Sequence, residues 1–272
     1  SGTSTLKCSF HTSALSVGVY ALDTLDLSRP WELTGGVRWD RFGTNYSESV
    51  AQLKFYRLDE KPTWRGALVY KPRPNGSVYF DYGTSFNPSA EALSLSVATA
   101  NLPPEEDQSF EVGSKWDLNG GRFSMRGSLF RTDQENTREP DPDDSSVDVL
   151  AGNDRVDGAE MLVQGHISDR WELLSSYTFL HGEVVKSEFY PLAVGQPLNN
   201  VPENLFNLWT EYKLSPRWEV GGGGNNVGLR TAKPATLLPA PIIERPPGYW
   251  PRNAMAKYKV TEHVALQVNL NN

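Results

Sequence analysis

Tight turns recur along this chain at a nearly constant interval and alternate with long polar connections, and that pattern limits the fold more than any single motif. The tight turns read Ser28-Arg29-Pro30, Lys71-Pro72-Arg73-Pro74-Asn75-Gly76, Leu118-Asn119-Gly120, Ser168-Asp169-Arg170, Leu214-Ser215-Pro216 and Val260-Thr261-Glu262. With Arg29, Arg73, Asn119, Asp169, Ser215 and Thr261 as centres, the steps are 44, 46, 50, 46 and 46 residues. Between them lie stretches rich in Asp, Glu, Asn, Pro and Gly: Thr44 to Glu60, Asn87 to Asp107, Asp133 to Asn153, Gly182 to Asn200, and Leu229 to Pro247. Each repeat is therefore strand, tight turn, strand, long loop, and six tight turns predict about twelve strands. Short turns on one rim and long loops on the other are the asymmetry of a bacterial membrane β-barrel.

Within the predicted strands, residue character alternates with period two, which places successive side chains on opposite faces. Leu33, Gly35, Val37 and Trp39 oppose Thr34, Gly36, Arg38 and Asp40, and Phe123, Met125, Gly127 and Leu129 oppose Arg122, Ser124, Arg126 and Ser128. Three turns echo one another: Ser28-Arg29-Pro30-Trp31-Glu32, Ser168-Asp169-Arg170-Trp171-Glu172 and Ser215-Pro216-Arg217-Trp218-Glu219. Each sets a Trp on the apolar face directly after the turn and a Glu on the other face. Trp31, Trp171 and Trp218 are thus expected to form an aromatic girdle at the short-turn rim, with rings in acyl chains and N–H groups among lipid head groups.

Composition agrees with an all-β chain: 11% aromatic residues, 23 Gly and 19 Pro supply strand and turn formers. A formal charge of −7 leaves no basic surface for nucleic acid, so no nucleic-acid partner is expected. Cys8, the lone cysteine, cannot form an internal disulfide. No apolar run reaches the length of a membrane helix, and the mean hydropathy is −0.48. Neither speaks against a barrel, in which only alternate residues face lipid. The chain begins at Ser1 without an initiating Met or a signal peptide, so it reads as a fragment or a processed piece.

Two soluble architectures remain as alternatives, each a binding module with recognition loops. A β-propeller also repeats every forty to fifty residues, but spends that length on four short strands rather than two long ones. A Greek-key sandwich does not sort its loops into short and long by alternate position. The faces opposite the apolar ones carry Arg38, Asp40, Glu111, Lys115, Arg122, Arg126, Glu160 and Gln164, too many charges for a dry core. A wet or plugged lumen accounts for them.

At this point the residues resemble a family. Leu33-Thr34-Gly35-Gly36-Val37-Arg38-Trp39-Asp40-Arg41-Phe42 resembles a strand of TonB-dependent siderophore receptors, and Val69-Tyr70-Lys71-Pro72 through Gly76-Ser77-Val78-Tyr79 resembles one of their hairpins. Tyr82-Gly83-Thr84-Ser85-Phe86-Asn87-Pro88-Ser89-Ala90-Glu91 is similar to a segment of the catecholate-receptor branch. Further likenesses, such as Arg155-Val156-Asp157-Gly158-Ala159-Glu160 and Asn199-Asn200-Val201-Pro202-Glu203-Asn204, carry it across most of the chain. The resemblance implies an antiparallel transmembrane β-barrel, here about 12 of 22 strands, with short periplasmic turns and long extracellular loops in the bacterial outer membrane. It also implies a monomeric intact parent that takes up a ferric siderophore with energy supplied by the TonB complex through a plug. Because the family opens with a TonB box and plug and closes on an aromatic strand, the chain is expected to be a partial barrel lacking both. Cobalamin or an oligosaccharide stays open as another cargo.

An anionic ferric chelate would need cations and aromatic faces at the outer loops. Candidate contacts are Phe86 and Asn87 at one loop, Arg131 and Arg138 at the base of another, and Tyr190 beside Phe189 in a third. No catalytic constellation is visible: no nucleophile elbow, no ordered Ser/His/Asp set and no phosphate loop, so the chain is not expected to be an enzyme. Neither a cofactor nor a metal site is expected. His11, His166, His181 and His263 lack ligand spacing, with His166 and His263 assigned to wet faces, and the acidic run Glu139, Asp141, Asp143 and Asp144 lacks the features of a calcium loop. The four glycines Gly221 to Gly224 mark a bend or a close backbone approach within a strand.

Overall fold

The computed structural model describes residues 10–48, 54–88, 103–140, 148–231 and 245–272. Cys8, Ser89, Ala90, Glu91, Asp141, Asp143 and Asp144 lie outside the described residues. Twelve strands follow in order: β1 (Phe10–Ser28), β2 (Trp31–Glu48), β3 (Lys54–Arg73), β4 (Gly76–Asn87), β5 (Glu105–Leu118), β6 (Phe123–Pro140), β7 (Asp148–Ser168), β8 (Trp171–Ser187), β9 (Asn204–Lys213), β10 (Trp218–Val227), β11 (Arg252–Lys259) and β12 (Ala265–Asn271). Each pairs antiparallel with its neighbours in sequence, giving one up-and-down sheet with β1 and β12 at its edges. All six tight turns fall where the spacing put them. The β5–β6 turn shows why its residues are there: Asn119 and Gly120 have φ of 52° and 66°, a left-handed conformation that Asn and Gly adopt most readily.

Two of the polar stretches between the tight turns, Thr44 to Glu60 and Asp133 to Asn153, are largely strand rather than loop among their described residues. β2 runs on to Glu48 and β3 starts at Lys54, while β6 reaches Pro140 and β7 starts at Asp148. At these ends apolar and polar residues no longer sort by face, as Phe55 on one face of β3 and Tyr56 and Leu58 on the other show, so the hydrophobic period that reveals a strand disappears although pairing continues. Strands of 18 to 21 residues in β2, β3, β6 and β7 are about twice the length that crosses a bilayer.

Following the apolar face residue by residue shows where its character changes. Along β2 it carries Trp31, Leu33, Gly35, Val37 and Trp39, then Arg41; along β6 Phe123, Met125, Gly127 and Leu129, then Arg131; along β8 Trp171, Leu173, Ser175, Tyr177 and Phe179, then His181. β7 switches likewise from Ala159 to Asp157. The apolar band is thus seven to nine residues long on β2, β6 and β8. Nine residues at about 3.3 Å each and a tilt near 40° rise roughly 23 Å, close to the 25 Å band of an outer-membrane barrel.

That band has nothing to pack against. Among the described residues the only buried apolar side chains are Ala193 and Met255, whereas Leu33, Val37, Phe80, Val112, Leu129 and Phe179 are exposed. A soluble propeller or sandwich would bury such residues between layers. This single-layer sheet offers them only to a surrounding apolar medium.

The opposite face is a lattice of polar contacts. Arg38 donates to both Asp40 oxygens from Nε and Nη2 (2.7 and 2.6 Å), Arg65 donates to Asp81 (2.8 Å), and Trp209 Nε1 donates to Glu211 (2.8 Å). Lys71 pairs with Glu32, and the Tyr79 hydroxyl donates to Glu111. Two placements differ from the sequence reading. Arg122 is not on a strand face but in the β5–β6 turn, where it holds Asp169 of the β7–β8 turn at 2.6 Å. His263 lies in the β11–β12 turn, whereas His166 does stand on the polar face opposite Glu172.

Gly223 explains part of the four-glycine run. It lies opposite Trp209 and Asn253 in β10, and a Cβ there would run into the Leu208 carbonyl oxygen. Close backbone approach therefore requires glycine at this point.

Candidate functional site at the long-loop rim

Beyond the apolar band, two places on the long-loop rim concentrate polar side chains. The first spans the ends of β4 to β7 on the polar face. Glu105 opens β5 and accepts from Asn87 Nδ2 (3.2 Å) and Gln134 Nε2 (3.4 Å), and Arg138 Nη1 stands 3.6 Å away. Ser85 donates to Asp107 at 3.1 Å. A bulge in β6 makes this convergence possible: Asn136 is left-handed (φ 60°), the β6–β7 register slips on both sides of Thr137, and Asn136 Nδ2 reaches the Pro104 carbonyl at 3.5 Å.

Negative charge accumulates there. Burial, followed by the nearby Glu139 and Glu105 carboxylates, pushes the Asp154 carboxyl up to about 6. Burial also raises Asp107, with Ser85 opposing and Glu105 adding to the shift. Arg138 Nε and Nη2 and Glu139 Oε2 are buried atoms without hydrogen-bond partners. The site can orient and neutralise charge, but among the described residues no group of three or more His, Cys, Asp or Glu is placed to hold a metal ion.

The second place is built by the β8–β9 connection. Instead of projecting away, it turns at a 3-10 segment (Pro191–Ala193), reverses at Gly195 (φ 78°) and returns along β8. Gly195 N–H donates to the Val184 carbonyl (2.8 Å), Leu198 N–H to Gly182 (3.0 Å), and Leu180 N–H to Glu203 (2.9 Å). The returning segment then holds the chain after β10: Asn200 N–H donates to Thr231 (2.8 Å) and Glu203 N–H to Leu229 (3.1 Å). Between them lies a cavity of about 220 Å³ whose lining includes His181, Leu198, Glu203, Arg230, Thr231 and Arg245.

The residues singled out in the sequence distribute unevenly over these places. Asn87 and Arg138 meet through Glu105. Phe86 is at the same rim but on the other side of the sheet, opposite Glu106. Arg131 also stands on that side, beside Phe110, and donates to both Asp157 oxygens (2.6 and 2.9 Å) rather than facing the polar cluster. Tyr190 sits in the β8–β9 connection, its backbone N–H donating to Ser187 Oγ at 2.9 Å. Sequence reasoning missed Glu105 and Asp154, because each lies in a stretch without alternation and acquires its neighbours only through strand pairing. At the opposite rim, Trp31, Trp171 and Trp218 each begin a strand and stand opposite Tyr70, Tyr212 and Tyr258. Trp31–Tyr70 and Trp218–Tyr258 ring centroids are 4.6 and 4.7 Å apart.

Residues 8–272 match the family model described as TonB dependent receptor-like, beta-barrel. The chain belongs to that family. It is 34% identical to the probable TonB-dependent receptor BfrD of Bordetella pertussis and 30% identical to the probable TonB-dependent siderophore receptor PiuA of Acinetobacter baumannii, in each case over 97% of this chain and 37% of that protein. The chain thus spans little more than a third of the length of these relatives. The crystal structure of A. baumannii PiuA superposes with a TM-score of 0.86 at 30% identity, covering 96% of this chain and 39% of that one. The closed form of the ferric-catecholate import receptor Fiu from E. coli gives 0.81 at 25% identity, covering 97% and 41%.

Family membership orients the sheet. This chain is a stretch of outer-membrane barrel wall: its apolar band faces lipid, its polar face lines the lumen, the tight turns are periplasmic, and the strand extensions stand on the extracellular side. The family is one of transport receptors.

Proposed function

We propose that the protein carrying this wall is an outer-membrane receptor that binds a ferric siderophore at its extracellular rim and imports it with energy supplied through TonB. The observation that carries this reading is the match to proteins named as siderophore receptors over nearly the whole chain. The geometry agrees with it. The strands continue past the lipid band and build a polar extracellular vestibule, where a hydrated chelate can be held before it enters the lumen. Phe86, Asn87, Arg131, Arg138 and Tyr190 remain candidate contacts, of which Asn87 and Arg138 are the two placed around one acceptor, Glu105. Trp31, Trp171 and Trp218 would anchor the periplasmic edge in lipid, with a plug from the rest of the polypeptide engaging TonB.

Uptake of radiolabelled iron by cells expressing the complete polypeptide, under iron limitation and with a panel of ferric chelates, tests this reading. Uptake of at least one chelate that disappears when TonB is removed is expected. No TonB-dependent uptake of any chelate would overturn it. A chelate of another metal is the second reading, favoured by 26% identity to the metal-pseudopaline receptor CntO of Pseudomonas aeruginosa, and the same cells loaded with other labelled metals separate the two.

A further inference from the structure

We infer that the lipid-facing side of the wall carries a groove over β5, β6 and β7 that holds one acyl chain of an extracellular-leaflet lipid. This goes beyond cargo import and stands on the outward face alone. The floor of the groove is Ser114 of β5, Gly127 of β6 and Ala159 of β7: Ser114 pairs with Gly127, and Ala159 lies diagonal to Gly127. Val112 and Leu129 flank this floor on one side, Met125 and Met161 on the other, and together they line a hollow of about 720 Å³. Among the described residues nothing fills it. A Cβ at Gly127 would meet only the Glu160 carbonyl oxygen, at 3.6 Å, and the Trp116 ring at the lower end lies over Gly76 of β4. Val112, Leu129 and Met161 are exposed on its flanks.

The run of the groove decides what fits it. The pairing line that starts at Trp31, the first residue of β2, passes through Ser114 and Gly127 and reaches Tyr177, the seventh residue of β8. The line thus climbs six residues over six strand steps. At roughly 3.3 Å per residue and 4.8 Å per strand, the strands lean about 35° from the membrane normal. From Ser114 the floor crosses two strands and rises two residues to Ala159, a climb of about 11 Å with a sideways shift of about 4 Å. The groove therefore runs nearly along the membrane normal, as acyl chains do. Ser114 is four residues from the end of β5, about 11 Å above the periplasmic turn, and Ala159 is the last apolar residue of its face before Asp157. The groove thus occupies the extracellular half of the apolar band, and its climb accounts for most of the roughly 15 Å that one leaflet adds to a 30 Å hydrocarbon core. Its upper end opens beside the Arg131–Asp157 ion pair, at the level of the head groups. No hydrophobic force acts within lipid, so what retains a chain there is van der Waals contact on both flanks, to which the two flexible methionines adapt.

The test uses the complete polypeptide in vesicles of phosphatidylethanolamine and phosphatidylglycerol, with a trace of phosphatidylethanolamine carrying a diazirine midway along one acyl chain. After irradiation, lipid adducts are mapped by peptide mass spectrometry. Per lipid-facing residue, adducts on β5 to β7 are expected to exceed those on β2 and β12 about fivefold, the ratio that roughly 1 kcal/mol of preference produces. S114L/G127L, which fills the floor, is expected to bring β5 to β7 down to the level of β2. S114A/G127A leaves the groove open and is expected to keep the enrichment, which controls for folding. Uniform labelling of the wild-type band, or enrichment that survives S114L/G127L, overturns the groove. Exclusion of the probe from β5 to β7 in a polypeptide that elutes as a dimer also overturns it, by placing a second copy there. Each of these outcomes leaves TonB-dependent uptake, and so the receptor reading, untouched.

Discussion

The lipid-spanning half of this wall and its extracellular half use the same strands for opposite purposes. In the lower half one face is apolar and the other polar, and the register is set by that difference, since a slip of one residue would turn Val37 and Leu129 into the lumen. In the upper half both faces are wet, and ion pairs such as Arg155–Asp133 (2.6 Å) replace apolar packing. The lesson is that strand pairing alone continues the wall, while the surrounding medium decides which residues it displays. Within the upper half a second difference appears: arginines on β2, β3, β6 and β7 are paired with carboxylates, whereas the β8–β9 return is held by backbone hydrogen bonds to β8 and to the chain after β10.

Placing one charge in each half is the strongest way to break the comparison. Val37→Arg puts a cation in the middle of the lipid band and is expected to cost about 2–4 kcal/mol, while Asn45→Arg, on the same face of the same strand beyond the band, should stay within about 0.5 kcal/mol. Urea unfolding of the complete polypeptide in lipid vesicles measures both; equal effects would mean that the band is misplaced. Next in size, Gly223→Val forces a branched side chain toward the Leu208 carbonyl and should destabilise by about 1–3 kcal/mol, read as a lower midpoint in the same assay. Arg155→Gln tests the ionic replacement of packing. Both partners are about 30% exposed (30% and 28%), so the expected loss is about 0.2–1 kcal/mol and should shrink as salt is added.

One further effect is set apart by its pH signature. Asp154 is pushed up to about 6 when folded, from near 4 in an unfolded chain, so between these values the folded protein holds a proton that the unfolded chain has released. Stability therefore falls as pH rises from 4 through 6. Asp154→Asn removes that loss: the variant should unfold at a higher urea concentration than wild type at pH 7, with the gap closing toward pH 4. A gap that widens on acidification would show that Asp154 is held charged by a partner instead.

How much of this was legible in the sequence differs between the halves. Alternation at Leu33 to Asp40 and the repeated Trp-Glu pairs after tight turns exposed the strands, their faces and the short-turn rim, because a half-lipid environment writes itself directly into every second residue. The segments from Thr44 to Glu60 and Asp133 to Asn153 were read as loops because a strand wetted on both sides leaves no such mark. For the candidate contacts the limit is similar: Asn87 and Arg138 were visible as rim residues, but Glu105, which joins them, and the ion pair that occupies Arg131 come from cross-strand neighbours far apart in sequence.

By itself, then, the sequence determined the number of strands, their order, the tight turns and the resemblance to a receptor family, since these rest on local period and spacing. Only the tertiary structure decided how far the wall rises above the lipid, that Arg122 ties two turns together rather than lining the lumen, and that the β8–β9 connection folds back along β8 and holds the chain that follows β10. Those outcomes depend on which backbone groups find partners across a sheet, and a one-dimensional pattern records a residue's medium more faithfully than its neighbours.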